Sequence, residues 1–305
     1  MERLLERAFG SRTPIDYERT RDGVSTQVYR LHRGSNVFYL RIAEEEYENL
    51  TVDAELNRRL RHRGVGVPDV VYVEPFDRVL RRSVLITNEV PGLPLSKAKS
   101  VAAAASVARA AGGDLAVLNQ VPVEGFGWIR RDQPVWPLVG VLATYGEFVT
   151  SYLPDKWPGE LRLLFSTVHL GAIEAIITVE RQRPLAHGHL AHGDFDTTAI
   201  FQKDGQYTGL IDFGEIRGTE PFFDLGHFSL HDGETFPALL LQHLIEGYQE
   251  VVALPPDHLD RIRRSAILLG LRQLSRWISP ERARPLDYPA VRNRARRLAE
   301  MLDQS

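Results

Sequence analysis

The segment Pro91-Gly92-Leu93-Pro94 divides the chain into two parts with different hydrophobic periods. Two prolines and a glycine in four residues interrupt helix and strand alike. Before the break, most runs alternate with the period of a strand. Residues 1–9 predict a short helix closed by Gly10, followed by strands at 15–21 and 24–31. Asp22-Gly23 lies between these strands, and Asp-Gly favours a tight hairpin turn. Residues 36–43 put Val37, Tyr39 and Arg41 on one face and Phe38, Leu40 and Ile42 on the other. An acidic helix is expected over 44–63, with Leu50, Val52, Ala54, Leu56 and Leu60 as its apolar positions and Gly64 and Gly66 as its stop. Strands at 70–74 and 83–90 complete a small, mainly antiparallel sheet with one helix.

After the break the period becomes helical. Helices are predicted at 102–118, 140–152, 161–180, 259–278 and 291–302, and Phe236, Leu239, Leu240, Leu244 and Tyr248 form a further apolar stripe. Two β-like runs interrupt this pattern within 190–213. The fold class is therefore α+β, with domains at 1–90 and 91–305. Hydrophobic residues are 43% and charged residues 25%, as in an ordinary globular protein. A net charge of −3 gives no reason to expect a nucleic-acid partner. No run reaches the length of uninterrupted apolar sequence that a bilayer needs, and residues 1–7 lack a signal-peptide core, so a cytoplasmic location and no membrane partner are expected. The absence of Cys excludes disulfides, thiolate metal sites and cysteine nucleophiles.

Two aspartates carry the chemistry. Asp194 stands in His192-Gly193-Asp194, and Asp212 in Ile211-Asp212-Phe213-Gly214, after a turn at Asp204-Gly205. Two short strands joined by that turn would set both carboxylates on one rim. There one can accept a proton from a hydroxyl while the other holds Mg²⁺ on a polyphosphate. This ordered pair resembles the aminoglycoside phosphotransferase family, relatives of choline kinases and protein kinases. The resemblance implies a protein-kinase-like two-lobe fold, with residues 1–90 binding nucleotide and 91–305 forming the catalytic and substrate lobe. It implies ATP and Mg²⁺ as cofactors and transfer of the γ-phosphoryl group to a hydroxyl of a small molecule. Asp194 takes the role of catalytic base and Asp212 that of metal ligand. Gly218-Thr219-Glu220-Pro221-Phe222-Phe223-Asp224-Leu225 resembles the family's Gly-Asp-Pro-x-x-Asp-Leu, with Glu220 for the first aspartate and Asp224 bracing the catalytic loop.

The chain departs from the pattern in two places. Kinases place a Lys on the third strand to hold phosphate, whereas Arg41 occupies that position here and no Lys precedes Lys97. A guanidinium keeps the charge and can bind phosphate bidentately. Glu55 is the expected partner of Arg41. The Asn ligand that kinases carry five residues after the base is Ala199, so Asp196 or Thr198 would have to supply the oxygen. Around the nucleotide, Ser25 and Thr26 are expected near the phosphates, and Asn88 and Glu89 in the hinge beside adenine. Other readings remain beside these. His187, His189 and His192 have spacing that zinc could use, and His227 and His231 could flank the acceptor cleft. Glu215, Glu220, Asp224, Asp232 and Glu234 would favour a cationic acceptor. Arg41 and Ala199 also allow a non-catalytic nucleotide- or ligand-binding protein on the same fold.

Overall fold

A computed structural model describes residues 1–10, 15–20, 27–132, 136–154, 157–279, 282 and 284–304. The first part of the chain builds an antiparallel five-stranded sheet from β1 (Asp16–Arg19), β2 (Gln27–Arg33), β3 (Asn36–Ile42), β4 (Val70–Asp77) and β5 (Arg82–Asn88), in the order β1-β2-β3-β5-β4. The Asp22-Gly23 turn lies outside the described residues. Alternation along β3 decides the layers, because successive side chains point to opposite faces. Leu40 and Ile42 pack with Leu31, Val84, Ile86 and the buried Leu4 and Leu5 of α1 (Glu2–Phe9). Leu85, the register partner of Arg41, packs on the other face with Ala54 of α2 (Thr51–His62). The same alternation therefore turns Arg41 toward α2.

Helix α2 begins at Thr51, seven residues later than the acidic run suggests. The Glu48 carboxylate accepts the Glu44 and Glu45 N–H groups, and Asn49 Oδ1 accepts the Thr51 N–H at 3.0 Å. Side chain to backbone bonds of this kind compete with helix. The break segment contains β6 (Leu93–Pro94), which pairs with a later hairpin, β11 (Ile200–Lys203) and β12 (Gln206–Leu210). The first part thus runs directly into the region that carries the motifs.

The second part is mostly helical but holds a small closed barrel that the helical reading does not anticipate. Its strands are β7 (Pro122–Glu124), β8 (Phe126–Ile129), β9 (Leu138–Leu142), β10 (Gly188–Ala191) and β13 (Arg217–Thr219). Strand β9 occupies the start of the helix expected at 140–152. Helix α4 (Tyr145–Thr150) starts only at a capping box, in which Thr144 Oγ1 accepts the Glu147 N–H and Glu147 accepts the Thr144 N–H. The remaining helices are α3 (Val101–Asn119), α5 (Thr167–Arg181), α6 (Phe223–His231), α7 (Leu241–Gln249), α8 (His258–Ile278) and α9 (Pro289–Asp303). The apolar stripe falls in a helix only from Leu241 onward, and Leu239 is exposed.

By length and composition α3 could cross a membrane, but here it is the central packing element. Its buried residues join Leu56 and Leu60 of α2 to Leu244 and Tyr248 of α7 in one core. Helices α3 and α7 meet through glycines. A Cβ at Gly247 would lie 1.7 Å from the Arg109 carbonyl oxygen, and one at Gly112 would lie 2.0 Å from that of Leu244. Backbone cannot yield as a flexible side chain can, so an added methyl must push the two helices apart. Gly247→Ala is expected to destabilise the fold by about 1–3 kcal/mol, measured as a lower urea midpoint at unchanged m-value.

Candidate active site

The loop after β10 is fixed from behind. Asp224, in the first turn of α6, is fully buried. Its carboxylate accepts the His192 N–H at 2.8 Å, the Gly193 N–H at 2.9 Å and the Asn119 side-chain amide at 3.0 Å. These charge-assisted bonds pay for burying the carboxylate and hold two successive backbone groups of the motif. Gly193 has φ +92°, and a Cβ there would lie 1.9 Å from the Glu215 carbonyl oxygen. Only glycine lets the loop rest so closely on the turn at 213–215. The His192 ring packs on Phe195 and Phe213, and its Nε2 donates to the Ile211 carbonyl at 2.8 Å. His192, two residues before Asp194, and Ile211, next to Asp212, are therefore in one packed unit.

Asp194 projects outward from this rigid loop, with its side chain 60% exposed. The buried His227 Nε2 lies 3.2 Å from Asp194 Oδ1, and His227 Nδ1 lies 3.0 Å from the Phe195 carbonyl oxygen. Both ring nitrogens thus face acceptor oxygens. The hydrogen bond from His227 holds the Asp194 carboxyl down at about 2, against the opposing effect of burial. The sequence allows His227 to flank an acceptor cleft; the structure sets it against the Asp194 carboxylate. The His227 ring stacks near His231, which pairs with Glu234 at 2.8 Å. Beyond Glu234 opens a cavity of about 610 Å³ between the 232–239 loop, Trp277 and α9, within the usual size of a small-molecule pocket.

A second cluster lies at the other motif. Asp212 adopts a left-handed backbone, φ 67° and ψ 60°, before the turn at 213–215. A Cβ built on Gly214 would lie 3.4 Å from Asp212 Oδ1 and 3.9 Å from Arg41 Nη2, so both side chains flank that glycine. The carboxylate partner of Arg41 is Asp53, at 3.0 Å, and not Glu55. Asp53 and Glu55 are two positions apart on α2 and so point to different faces; Glu55 pairs with Arg59 one turn on. Sequence reading missed Arg131 altogether. From the loop after β8 it grips Asp53 with two bonds, at 2.9 and 3.0 Å, and reaches the Gly214 carbonyl at 3.4 Å. Burial opposes the charge on Asp53, but Arg131 and Arg41 outweigh it and hold the carboxyl below its ordinary value.

The other expected residues are placed as follows. Asp196 Oδ1 caps its own turn, accepting the Thr198 N–H at 2.6 Å and the Thr198 hydroxyl at 2.5 Å. Ala199 is buried, with its N–H donated to the Asp196 carbonyl. Ser25 and Thr26 lie outside the described residues. Asn88 uses its side chain and its N–H on Asp69, while Glu89 gives its N–H to Val37 and its carboxylate to Arg30. Neither N–H can meet adenine without breaking a bond of the sheet region. His189 Nδ1 bonds the Asn119 carbonyl, and among the described residues no group of three or more His, Asp or Glu could hold a metal ion.

The arrangement is a two-lobe, kinase-like fold with its motif residues gathered where the lobes meet. Residues 16–264 match the model of the phosphotransferase enzyme family, APH, and the chain belongs to that family. Among solved structures, it is similar to a thermostable mutant of aminoglycoside phosphotransferase APH(4)-Ia in ternary complex with ADP and hygromycin B. The TM-score is 0.69 at 15% identity, covering 100% of this chain and 98% of that one. It is also similar to macrolide 2'-phosphotransferase MphH from Brachybacterium faecium, with a TM-score of 0.60 at 17% identity over 100% and 99% of the two chains. No curated protein matches the chain.

Because the Asp53 carboxyl is held low in the folded state, its stabilisation is present above the ordinary carboxylate range and is lost as pH falls through that range and below. Asp53→Asn is expected to cost about 3 kcal/mol at neutral pH, because Arg131 is left buried without its counter-charge. Urea unfolding of the two proteins at several pH values should show the difference shrinking on acidification.

Proposed function

We propose that the protein is an ATP- and Mg²⁺-dependent phosphotransferase that moves the γ-phosphoryl group to a hydroxyl of a small molecule. The observation that carries this reading is the common packing of the Asp194 loop, the Asp212 turn and the Arg41–Asp53–Arg131 cluster around residues 213–215. Residues 1–90 would supply the nucleotide-binding lobe and 91–305 the catalytic and acceptor lobe. The complexes of the APH(4)-Ia enzyme with ADP or AMP-PNP and hygromycin B support nucleotide and small-molecule binding on this fold.

In the reaction the acceptor oxygen forms a bond to the γ-phosphorus as the bond from phosphorus to the bridging oxygen of ADP breaks. The bridging oxygen keeps the electron pair, and the acceptor proton passes to Asp194. A carboxyl held near 2 is a weak base, so orienting the hydroxyl is its larger contribution. A loose phosphoryl-transfer transition state asks for positioning and charge stabilisation more than for proton abstraction. Arg41 and Arg131 with Asp53 carry one net positive charge, set beside Gly214, which suits a phosphate oxygen.

The oxygen donors at the two motifs suit Mg²⁺ by their chemistry. That ion takes hard oxygen ligands and commonly keeps only one or two protein carboxylates beside phosphates and water. Asp212 and Asp196 would hold it, so the lack, among the described residues, of a group of three or more His, Asp or Glu is no obstacle. When bound, it would neutralise charge on the phosphate oxygens.

Asp194→Asn is expected to leave the dissociation constant for ATP within about threefold and to lower the transfer rate by about 10²–10⁴-fold. Transfer near the unmodified rate would remove Asp194 from this role. Ala199 favours a second reading, a binding protein without turnover, because a methyl group gives the metal no oxygen. Thermal-shift titration separates the two. The phosphotransferase reading expects ATP to stabilise the chain by several degrees with Mg²⁺ and by less without it. Metal-independent binding with no ATP turnover supports the binding protein.

A further inference from the structure

The five acids that could draw a cationic acceptor are all engaged. Glu215 pairs with Arg217 at 2.7 Å, and Glu220 is buried against Ser265 and Arg261. Asp224 braces the catalytic loop, Asp232 accepts the Leu240 and Leu241 N–H groups, and Glu234 pairs with Arg294 and His231. Three of the five, Glu215, Glu220 and Glu234, are thus neutralised by arginines, while Asp224 and Asp232 are buried and spend their oxygens on N–H groups.

The opposite charge is in excess nearby. Arg272 and Arg276 are one turn apart on α8 and so share a face. Among the described residues neither has a carboxylate within ion-pair distance. The Arg272 guanidinium stacks on Tyr152 at 4.6 Å, and the Tyr152 hydroxyl accepts a hydrogen bond from Arg217 Nη1 at 3.3 Å. Arg217 lies between Trp128 and Phe223 and donates through Nε to the Glu215 carbonyl. That carbonyl is the oxygen against which Gly193, the neighbour of Asp194, is packed. A stripe of guanidinium groups therefore runs from α8 to the side of the catalytic loop. Partial burial, and then the charges of Arg272 and Arg282, lower the proton affinity of Arg276; Glu215 opposes the shift and Arg217 adds to it.

We propose that Arg272 and Arg276 form a subsite for an anionic group, a carboxylate or a phosphate, carried by the same small molecule whose hydroxyl is phosphorylated. The proposal rests on the phosphotransferase reading above for its acceptor, while the anion site itself can be tested without turnover. The flat, delocalised guanidinium pair suits either anion, and Tyr152 holds one member in place. The acceptor would then be a sugar acid, a hydroxy acid or a phosphorylated sugar, and not an amino sugar.

The test compares sugar acids, hydroxy acids, sugar phosphates, neutral polyols and amino sugars in two assays. ADP release reads turnover. Isothermal titration of the full chain saturated with AMP-PNP and Mg²⁺ reads binding. The expected result is at least a tenfold preference for anionic over neutral and cationic members in kcat/KM, with sugar acids and sugar phosphates assayed separately to tell carboxylate from phosphate. Arg272→Ala combined with Arg276→Ala should raise KM for the preferred anion tenfold or more, with a much smaller change in kcat. The exposed Arg276→Glu should abolish the preference without disturbing the fold. Preference for neutral or cationic members, or a KM unmoved by these variants, overturns the subsite. If no acceptor stimulates ADP release, the phosphotransferase reading fails and titration alone decides. Anion binding lost in the variants then supports the subsite, and the absence of any preference for anions, or one that survives the variants, overturns it.

Discussion

The carboxylate of Asp224 organises the part of the molecule that carries the two aspartate motifs. Among the described residues it is buried without a cationic partner and is satisfied by three N–H donors, two of them consecutive backbone groups of the His192-Gly193-Asp194 loop. A buried charge satisfied this way is stable only in one geometry, because losing any donor exposes the desolvation cost of the carboxylate. Asp194 therefore inherits its position from a residue buried behind its loop. The third donor, Asn119, closes α3 and also bonds the Leu190 carbonyl in β10, so the brace connects the central helix to the barrel strand that delivers the motif.

The two lobes are held by a different device. Asp53 belongs to the helix of the small lobe, and Arg131 reaches it from the loop after β8 in the large one. The net charge of the Arg41–Asp53–Arg131 group is +1, the same as that of one lysine with its charge unpaired. The cluster thus supplies cationic character without Lys, while its internal pairing fixes the guanidinium planes. Arginine forks make this possible, since each can bond a carboxylate and still present N–H groups elsewhere. In the structure Arg131 does so, bonding Asp53 and the Gly214 carbonyl together.

Much of this was legible in the sequence, and the limits have physical causes. The two aspartate motifs are local, separated by one hairpin, so their proximity follows from chain connectivity. Alternation in β3 was enough to put Arg41 and Leu40 on opposite faces. Choosing Asp53 over Glu55 required the rotational phase of α2 against the sheet, which a helix two faces wide with charges on both does not reveal. Arg131 was invisible because it arrives from a loop far along the chain, with no periodic pattern to mark it. The barrel strands are three to five residues long, too short to display a period: β7 and β8 fall between the expected helices, and β9 overlaps the one expected at 140–152. One usable signal was present, since Thr144 followed three residues later by Glu147 is a helix start and argues against a helix from 140.

The central claim is that the chain transfers phosphoryl from nucleotide to a carbon-borne hydroxyl. It is tested most directly by ³¹P NMR of ATP incubated with the full chain, Mg²⁺ and pooled hydroxylated small molecules. The account predicts that the γ-phosphate resonance disappears as ADP and a new phosphomonoester resonance grow in equal amounts. ATP that stays intact, or that yields only inorganic phosphate, would contradict it.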